Sequence, residues 1–320
     1  HALTNPICQA LVNRIAWAIN DGRPFHVYLV VQVHPKGTLN TLNIMGQIHL
    51  TMHSLVFGHH SLVNGVRRAI LAKRYVKEQK IPLEAAQAKA DALALPDLAK
   101  IVGDGWKEYL TLLNLRNWDT IGGRPVTEQI YVHSKLVIAD DRAAVLGSAN
   151  INDRSQLGDR DSEIAVIVND DAKIKVKLDG KNAVDCGKAI HTLRRALWEK
   201  HFGLKSNNRR AASLAEVLDQ PAAPATWRAI QAVALENARA YDQSFWYIPR
   251  NGAHPEVQAK LKTDTEDGPP PASVWPTWQY VDYIDHSKGG QLRYRMPFDP
   301  LFWREAQRVD SLNVGAKFRF

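Results

Sequence analysis

Within the segment YVHSKLVIADDRAAVLGSANINDRS, three side chains of different chemistry fall at short intervals: His133, Lys135 two residues on, and Asn150 after a Gly147-Ser148 turn. Side chains of an extended strand alternate between faces, so His133 and Lys135 share one face. The turn can bring Ser148 and Asn150 against that face. An imidazole, an ammonium and an amide donor then converge on one point. Such a set suits a phosphodiester. Lys135 supplies a positive charge, and Ser148 and Asn150 supply hydrogen-bond donors, for oxygens whose charge grows in the transition state. His133 can attack phosphorus or protonate the leaving oxygen, because imidazole titrates near neutral pH. The cationic side chains already provide the electrostatic stabilisation, so the chemistry calls for no metal and no cofactor.

These residues need a sheet to hold them. From Gln129 to Val168 the chain reads as short strands separated by turns, IYVHSKLVIAD, AAVLGSAN and SEIAVIV, each with the buried character of a sheet covered on both faces. Upstream, Thr4 can cap a helix with Pro6 in its first turn, and Ile7, Leu11, Ile15 and Ile19 repeat at helical spacing. Asp21-Gly22 ends that helix, and a strand follows over Phe25 to Val33. The region from Ile44 to Lys73 reads as helical, Leu83 to Leu95 as a helix ending before Pro96, and Trp106 to Leu115 as a strand. Ala183 to Phe202 reads as a helix with Gly203 as its C-cap. The fold expected is α/β, a mixed sheet flanked by helices. Beyond Gly203 the texture changes. Pro221, Pro224 and Gly268 to Pro271 mark loops, and Trp246, Trp275, Trp278 and Trp303 crowd the tail. The boundaries expected are therefore a catalytic lobe over 1–204 and a loop- and Trp-rich extension over 205–320 that packs on it. The closing VGAKFRF alternates like a strand of an outer-membrane barrel, but no series of such strands precedes it.

The 320 residues suffice for about two domains. No stretch approaches the ~20 apolar residues of a membrane span, so the chain reads as soluble or as sitting on a membrane surface. Lys and Arg number 41 against 33 Asp and Glu, a net charge of +8 that attracts lipid headgroups and nucleic acid alike. Cys8 and Cys186 are too few for a disulfide scaffold and read as buried free thiols. The chain opens on His1 rather than Met and reads as the later part of something longer.

HSKLVIAD fits the HxKxxxxD motif of the phospholipase D superfamily, and GSAN fits its GSxN extension. The flanks LRNWDTIGGRPVTEQ and INDRSQLGDRDSEIAV, the LRRALWEKHFG stretch at 193–203, and NPICQALVNRIAWAI with FHVYLVVQVHP resemble eukaryotic-type phospholipases D. The resemblance covers roughly residues 4 to 204 and fades beyond. It implies the second of two motifs that face each other across a pseudo-twofold axis. One histidine becomes a phosphohistidine and the other protonates the departing alcohol, the role that falls to His133. The first motif then lies on a missing N-terminal half, or on a second copy of the chain. The resemblance also gives Asp140, with Gly147, a structural part in the motif. It implies an acidic residue behind the histidine, for which Asp161 and Glu163 are the choices and Glu163 is preferred. A carboxylate on one ring nitrogen would leave the other facing substrate.

Other candidates carry less. His34 and Lys36 imitate the motif without the residues that should follow. His49 and His53 share a helix face but have Leu50 where a zinc protease carries Glu, and no third ligand. His59-His60 is equally bland. Arg67-Arg68, Lys73-Arg74, Arg194-Arg195 and Arg209-Arg210 read as solvated helix faces, with anionic lipid as the sharper reading. The late tryptophans read as core before membrane anchors. Three functions compete: a phospholipase releasing phosphatidic acid, a nuclease-like phosphodiesterase, which the flanks disfavour, and a non-catalytic module, which the intact motif argues against. Eukaryotic-type phospholipases D also occur as toxins delivered by bacterial type VI secretion. That resemblance implies an effector reaching target-cell membranes from the periplasmic side, with an immunity protein that blocks the site. The alternative is a membrane-associated cytoplasmic enzyme.

Overall fold

The computed structural model describes residues 5–32, 50–121, 124–204, 212–215, 217–244 and 310–312. The architecture is α/β, small sheets flanked by helices, as the sequence predicts. Two compact units emerge from interleaved segments: His1–Tyr28, His59–Thr111 and Val132–Val233 in one, Leu29–Gly58, Leu112–Tyr131 and Ala234–Phe320 in the other. Thr4, the end of the strand at Val33, His34, Lys36, His49, Arg209-Arg210, Trp246 and every later tryptophan, and the VGAKFRF end lie outside the described residues. No helix of the described residues is long and apolar enough to cross a membrane.

Helix α1 (Ile7–Asp21) buries Ile15, Ala18 and Ile19 and stops at Gly22, whose φ of 70° is the left-handed cap that glycine tolerates. Helix α2 (Leu62–Gln79) is capped by Ser61, whose hydroxyl accepts from the Asn64 amide at 3.3 Å. A side chain at Gly65 would run into Val12 at 2.6 Å, so this glycine sets the close approach of α1 and α2. The stretch preceding α2 is not one helix, because a π-helical turn over His53–Phe57 breaks at Gly58. Leu83 to Leu95 also divides differently from the expectation. Helix α3 (Leu83–Asp91) ends early, and α4 (Leu95–Val102) begins with Pro96 in its first turn and an extended Ala94 before it. Proline lacks the N–H that a first turn leaves unpaired anyway, so it starts a helix as readily as it ends one. Leu71, Ala72, Ala86, Ala90, Leu98 and Val102 form the core between these three helices.

Residues 105–108 form a 3₁₀ turn, and the strand expected at Trp106 starts at Leu110. Strand β1 (Val27–Val30) and the long β2 (Leu110–Ile121) belong to a four-stranded sheet. Strand β3 (Arg124–Gln129) pairs antiparallel along the second half of β2, and the late strand Asp310–Leu312 pairs parallel with Leu113–Leu115.

The motif-bearing sheet is a meander of β4 (Lys135–Ala139), β5 (Ala143–Gly147) and β6 (Ala165–Asn169). Among the described residues it is not covered on both faces. Val137, Val145 and Ile167 stand opposite one another across the three strands and are 56%, 38% and 67% exposed. Their apolar character registers a surface that takes a cover, which composition alone cannot distinguish from one already covered. Beyond β6, β7 (Lys173–Val176) pairs with β8 (Val184–Gly187), and helix α6 (Lys188–His201) follows. The first residues of the helix expected from Ala183 are thus strand. The α6 end matches expectation, with Gly203 at φ 66°. Pro224, expected in a loop, is the first residue of helix α8 (Pro224–Ser244), following a short α7 (Ala212–Ala215).

The β4–β5 connection carries φ of 51° at Asp140 and 53° at Asp141, with the Arg142 amide donating to the Ala139 carbonyl at 2.9 Å. Positive φ at both central positions is the type I′ signature that suits strand twist, and Asp tolerates it. Asp140 is exposed, and its carbonyl accepts from the Cys186 thiol at 3.6 Å. Asp141 is 2% exposed. Its carboxylate takes two bonds from Arg194, at 2.7 and 2.9 Å, and one contact from His191 Nδ1 at 2.8 Å. Its carbonyl accepts from the Gly187 amide. The Arg194-Arg195 pair is therefore not a plain solvated face, whereas Lys73-Arg74 is exposed as expected. Neighbours on a helix point about 100° apart, so Arg194 turns inward while Arg195 pairs with Asp219 and Glu199. Arg68 is likewise buried, donating to the His59 carbonyl at 2.6 Å and facing Asp91. Cys186 is buried, whereas Cys8 is half-buried rather than buried, and neither is in a disulfide.

An aromatic chain packs against Arg194: its guanidinium lies 4.9 Å from the Trp198 ring, Trp198 meets Tyr28 edge-on, and Tyr28 meets His26, which stacks on Trp227 at 5.5 Å. The His26 ring bonds at both nitrogens, to the Glu108 carbonyl at 3.0 Å and Thr111 Oγ1 at 2.7 Å. Burial pushes the His26 imidazole down to about 3, so it stays neutral in the folded protein.

Two measurements follow from this packing. Asp141→Ala strands the Arg194 charge and should cost about 3–5 kcal/mol in denaturant unfolding, whereas Asp140→Gly should be neutral or mildly stabilising because glycine accepts the same φ. Equal effects of the two would contradict the assignment of the anchor to Asp141. Full stability from His26 is present above pH 6.5, where folded and unfolded states are both neutral there. It is lost as pH falls from 6.5 toward 3, because the unfolded state takes up the proton first. His26→Phe should flatten the pH dependence of stability across that window by up to about 1.4 kcal/mol per unit, even if it lowers stability at pH 7.

Candidate active site

At the end of the hairpin opposite the Asp140-Asp141 turn, Lys135 opens β4 and faces Gly147 across the pair. His133 lies before the strand, exposed, in a segment without ladder pairing. The shared face predicted for His133 and Lys135 therefore holds only from Lys135 onward. The two residues are joined differently: Lys135 Nζ donates to the His133 carbonyl oxygen at 2.7 Å. That bond steadies the ammonium beside the imidazole-bearing residue while leaving it half-exposed to a ligand.

Gly147 is required by contact. A Cβ there would overlap the Ile164 carbonyl oxygen and come within 2.6 Å of Ala165 Cα. Without it, β6 reaches β5, and the Ser148 amide donates to the Ile164 carbonyl at 2.9 Å. The Ser148 hydroxyl accepts from the Ile164 amide at 3.0 Å and donates to Glu163 Oε2 at 2.5 Å. Ser148, read from sequence as a phosphate donor, thus gives its proton to the carboxylate.

Glu163 sits on the site side of this contact, half-buried. The Ser148 hydroxyl first, then the nearby Ser155 hydroxyl, hold its carboxyl below the usual range; desolvation opposes them, and the charges of Lys135 and Arg154 add more weakly still. The group is therefore ionised at neutral pH. Asp161, the other acidic candidate, is taken by Arg154, whose Nε lies 3.0 Å from its Oδ1. Asn150 is exposed, and its carbonyl accepts from Gln156 Nε2 at 2.6 Å. The short helix α5 (Asp153–Gln156) is capped by Asn152, whose side chain accepts from the Ser155 amide at 3.1 Å. Asp153 in turn holds Asn5, which joins the chain's early segment to this loop.

The result is one exposed imidazole, one ammonium, one amide and one ionised carboxylate, carried by β4, the turn after β5 and the turn before β6. The motif spacing exposed the first three. It did not expose Ser155 or the Arg154–Asp161 pair. The Asn152 cap three residues before Ser155 was the available signal for an ordered turn there.

Gly147→Ala should cost about 1–3 kcal/mol in chemical denaturation and should displace β6, so that Glu163 loses its Ser148 partner. An alanine variant of wild-type stability would show that the close approach of β5 and β6 is dispensable.

Residues 119–254 match the family model for phospholipase D. The chain is 34% identical over 200 residues to Phospholipase D B of Dictyostelium discoideum, a match covering 62% of this chain and 14% of that protein. It is 30% identical over 252 residues to Phospholipase D2 of Bos taurus, covering 77% of this chain and 23% of that protein. Identity reaches 53% over 106 residues with Phospholipase D1 of Schizosaccharomyces pombe, covering 32% of this chain and 8% of that protein. The chain spans less than a quarter of the length of these relatives. The motif hairpin and its ionised carboxylate lie inside the segment that matches the phospholipase D family model.

Proposed function

We propose that this chain is the second-motif half of a phospholipase D that hydrolyses the distal phosphodiester of glycerophospholipids to phosphatidic acid and a free headgroup. The observation that carries the reading is the grouping of Lys135, Asn150 and ionised Glu163 with an exposed His133 at one end of the β4–β5–β6 sheet. In the reading, a histidine of the first-motif half attacks phosphorus and the bond to the headgroup oxygen breaks. His133 gives its ring proton to that oxygen. Neutral His133 then takes a proton from water, the water oxygen attacks phosphorus, and the P–N bond breaks to release phosphatidic acid. Lys135 and Asn150 stabilise the non-bridging oxygens throughout.

One observation supports a covering first half. The face that carries Lys135 also carries the exposed row Val137, Val145 and Ile167, one pleat away. A row of that kind on a sheet suits a protein cover. The names of the relatives, and the exposed Ile151 and Ile164 beside Asn150 and Glu163, favour lipid over nucleic acid as the phosphodiester. The net charge of +8 suits an anionic membrane surface. We extend the reading to a bacterial effector delivered by type VI secretion, acting on target-cell membranes from the periplasmic side. An immunity protein would cover the exposed His133.

The test is release of phosphatidic acid from phospholipid vesicles, alongside cleavage of linear DNA, by this chain alone and with a first-motif half supplied. Lipid should be cleaved only when both halves are present, and DNA not at all. His133→Ala in the complete enzyme should lower turnover by about 10²–10⁴-fold. Lipid hydrolysis by the purified monomeric chain would refute the two-half requirement. DNA cleavage without lipid cleavage would refute the substrate class.

A further inference from the structure

The Glu163 carboxylate has two oxygens, and the structure accounts for one. Oε2 takes the Ser148 proton at 2.5 Å, and that hydroxyl in turn accepts from the Ile164 amide at 3.0 Å. The Ile164 carbonyl, at 3.4 Å, is a poor competitor for the same proton. Ser155, 7% exposed and the buried residue of α5, is the second hydroxyl that acts on the Glu163 carboxyl, by nearness rather than through a closed bond. Its hydroxyl oxygen closes no hydrogen bond, although a buried hydroxyl without a partner is costly. Its surroundings are fixed. Asn152 holds its amide, Arg154 before it is pinned to Asp161, and Gln156 after it is pinned to the Asn150 carbonyl. The side chains of its two neighbours thus tie α5 to Asp161 and to the Asn150 carbonyl, on either side of the site.

We propose that Ser148 and Ser155 are a pair of positioning residues, two hydroxyls that cradle Glu163 between the turn after β5 and helix α5 and hold its carboxylate in place beside Lys135. Ser148 makes its bond in this structure, and Ser155 closes the second. The cradle makes Ser155 a site residue that the motif does not contain. It rests on Glu163 being the site's carboxylate, as the functional reading has it, but it does not depend on the substrate. The charges that face Glu163 are Lys135 from β4 and Arg154 from α5, and both favour the same ionised form.

The experiment is a carbon-13 titration of the glutamate side-chain carboxyls in the full 320-residue chain, with the Glu163 signal identified by its loss in Glu163→Gln. Ser148→Ala and Ser155→Ala should each raise the Glu163 midpoint, on the order of half a unit or more for a lost hydroxyl donor. Ser155→Thr should restore it. Ser155→Cys keeps nearly the same volume with a weak donor and should behave like alanine, which covers the case in which alanine disturbs the fold. An unchanged midpoint in both Ser155→Ala and Ser155→Cys would overturn the cradle, whatever their stability. Because the readout is the carboxyl itself, failure of the lipid assay leaves this result standing, and the reverse also holds.

Discussion

The buried carboxylate of Asp141 is the fixed point of the motif sheet. Three contacts from Arg194 and His191 neutralise and orient it, and the Gly187 amide holds its carbonyl. A charge removed from water to this degree is stable only when fully paired, so the turn and α6 must form together. The left-handed φ values of Asp140 and Asp141 then dictate the hairpin's register, which puts Lys135 opposite Gly147 at the far end. From there contact takes over. Gly147 lets β6 close in, and closing in sets Glu163 beside Ser148. A salt bridge at one end of a five-residue strand thus positions the chemistry at the other.

The two ends use charge in opposite ways. At the turn, ions are buried and matched, which gives rigidity. At the site, Lys135 is half-exposed, His133 is exposed, and the carboxylate is held by neutral hydroxyl donors rather than by a committed cation. Lys135 spends one proton on a backbone carbonyl and keeps two for a ligand. An anionic ligand therefore meets a positive group whose partner it need not displace.

Much of this was legible in the sequence, and the gaps have physical causes. The spacing of His133, Lys135, Gly147 and Asn150 was readable because a chemical function fixes residue type and interval together. That Lys135 would lie on a strand followed from LVIA, whose apolar run permits little else in so short a span. The choice between Asp140 and Asp141 was not readable. Both suit a left-handed turn, and only Arg194, more than fifty residues on, separates them. In the sequence Pro96 reads as a stop and Pro224 as a loop marker, although each stands in the first turn of a helix, because a proline's sign depends on which side the helix lies. Val184 to Gly187 merged with α6 because strand partners are set by the β7 register and not by local propensity. Ser155 was hidden because burial of a hydroxyl in a short turn leaves no trace in spacing.

The exposed row Val137, Val145 and Ile167 links packing to chemistry. It shares a face with Lys135, so whatever covers it is brought to the edge of the site by the same contact. Apolar surface contributes affinity without direction, while the imidazole and ammonium supply direction without much affinity in water. A partner lobe that buried the row would exclude solvent from the phosphate's surroundings at the same moment. Each charge interaction there would then strengthen as the local dielectric fell. Under that arrangement assembly and activation are one event, and an isolated half would hold the right groups in too wet a place to use them.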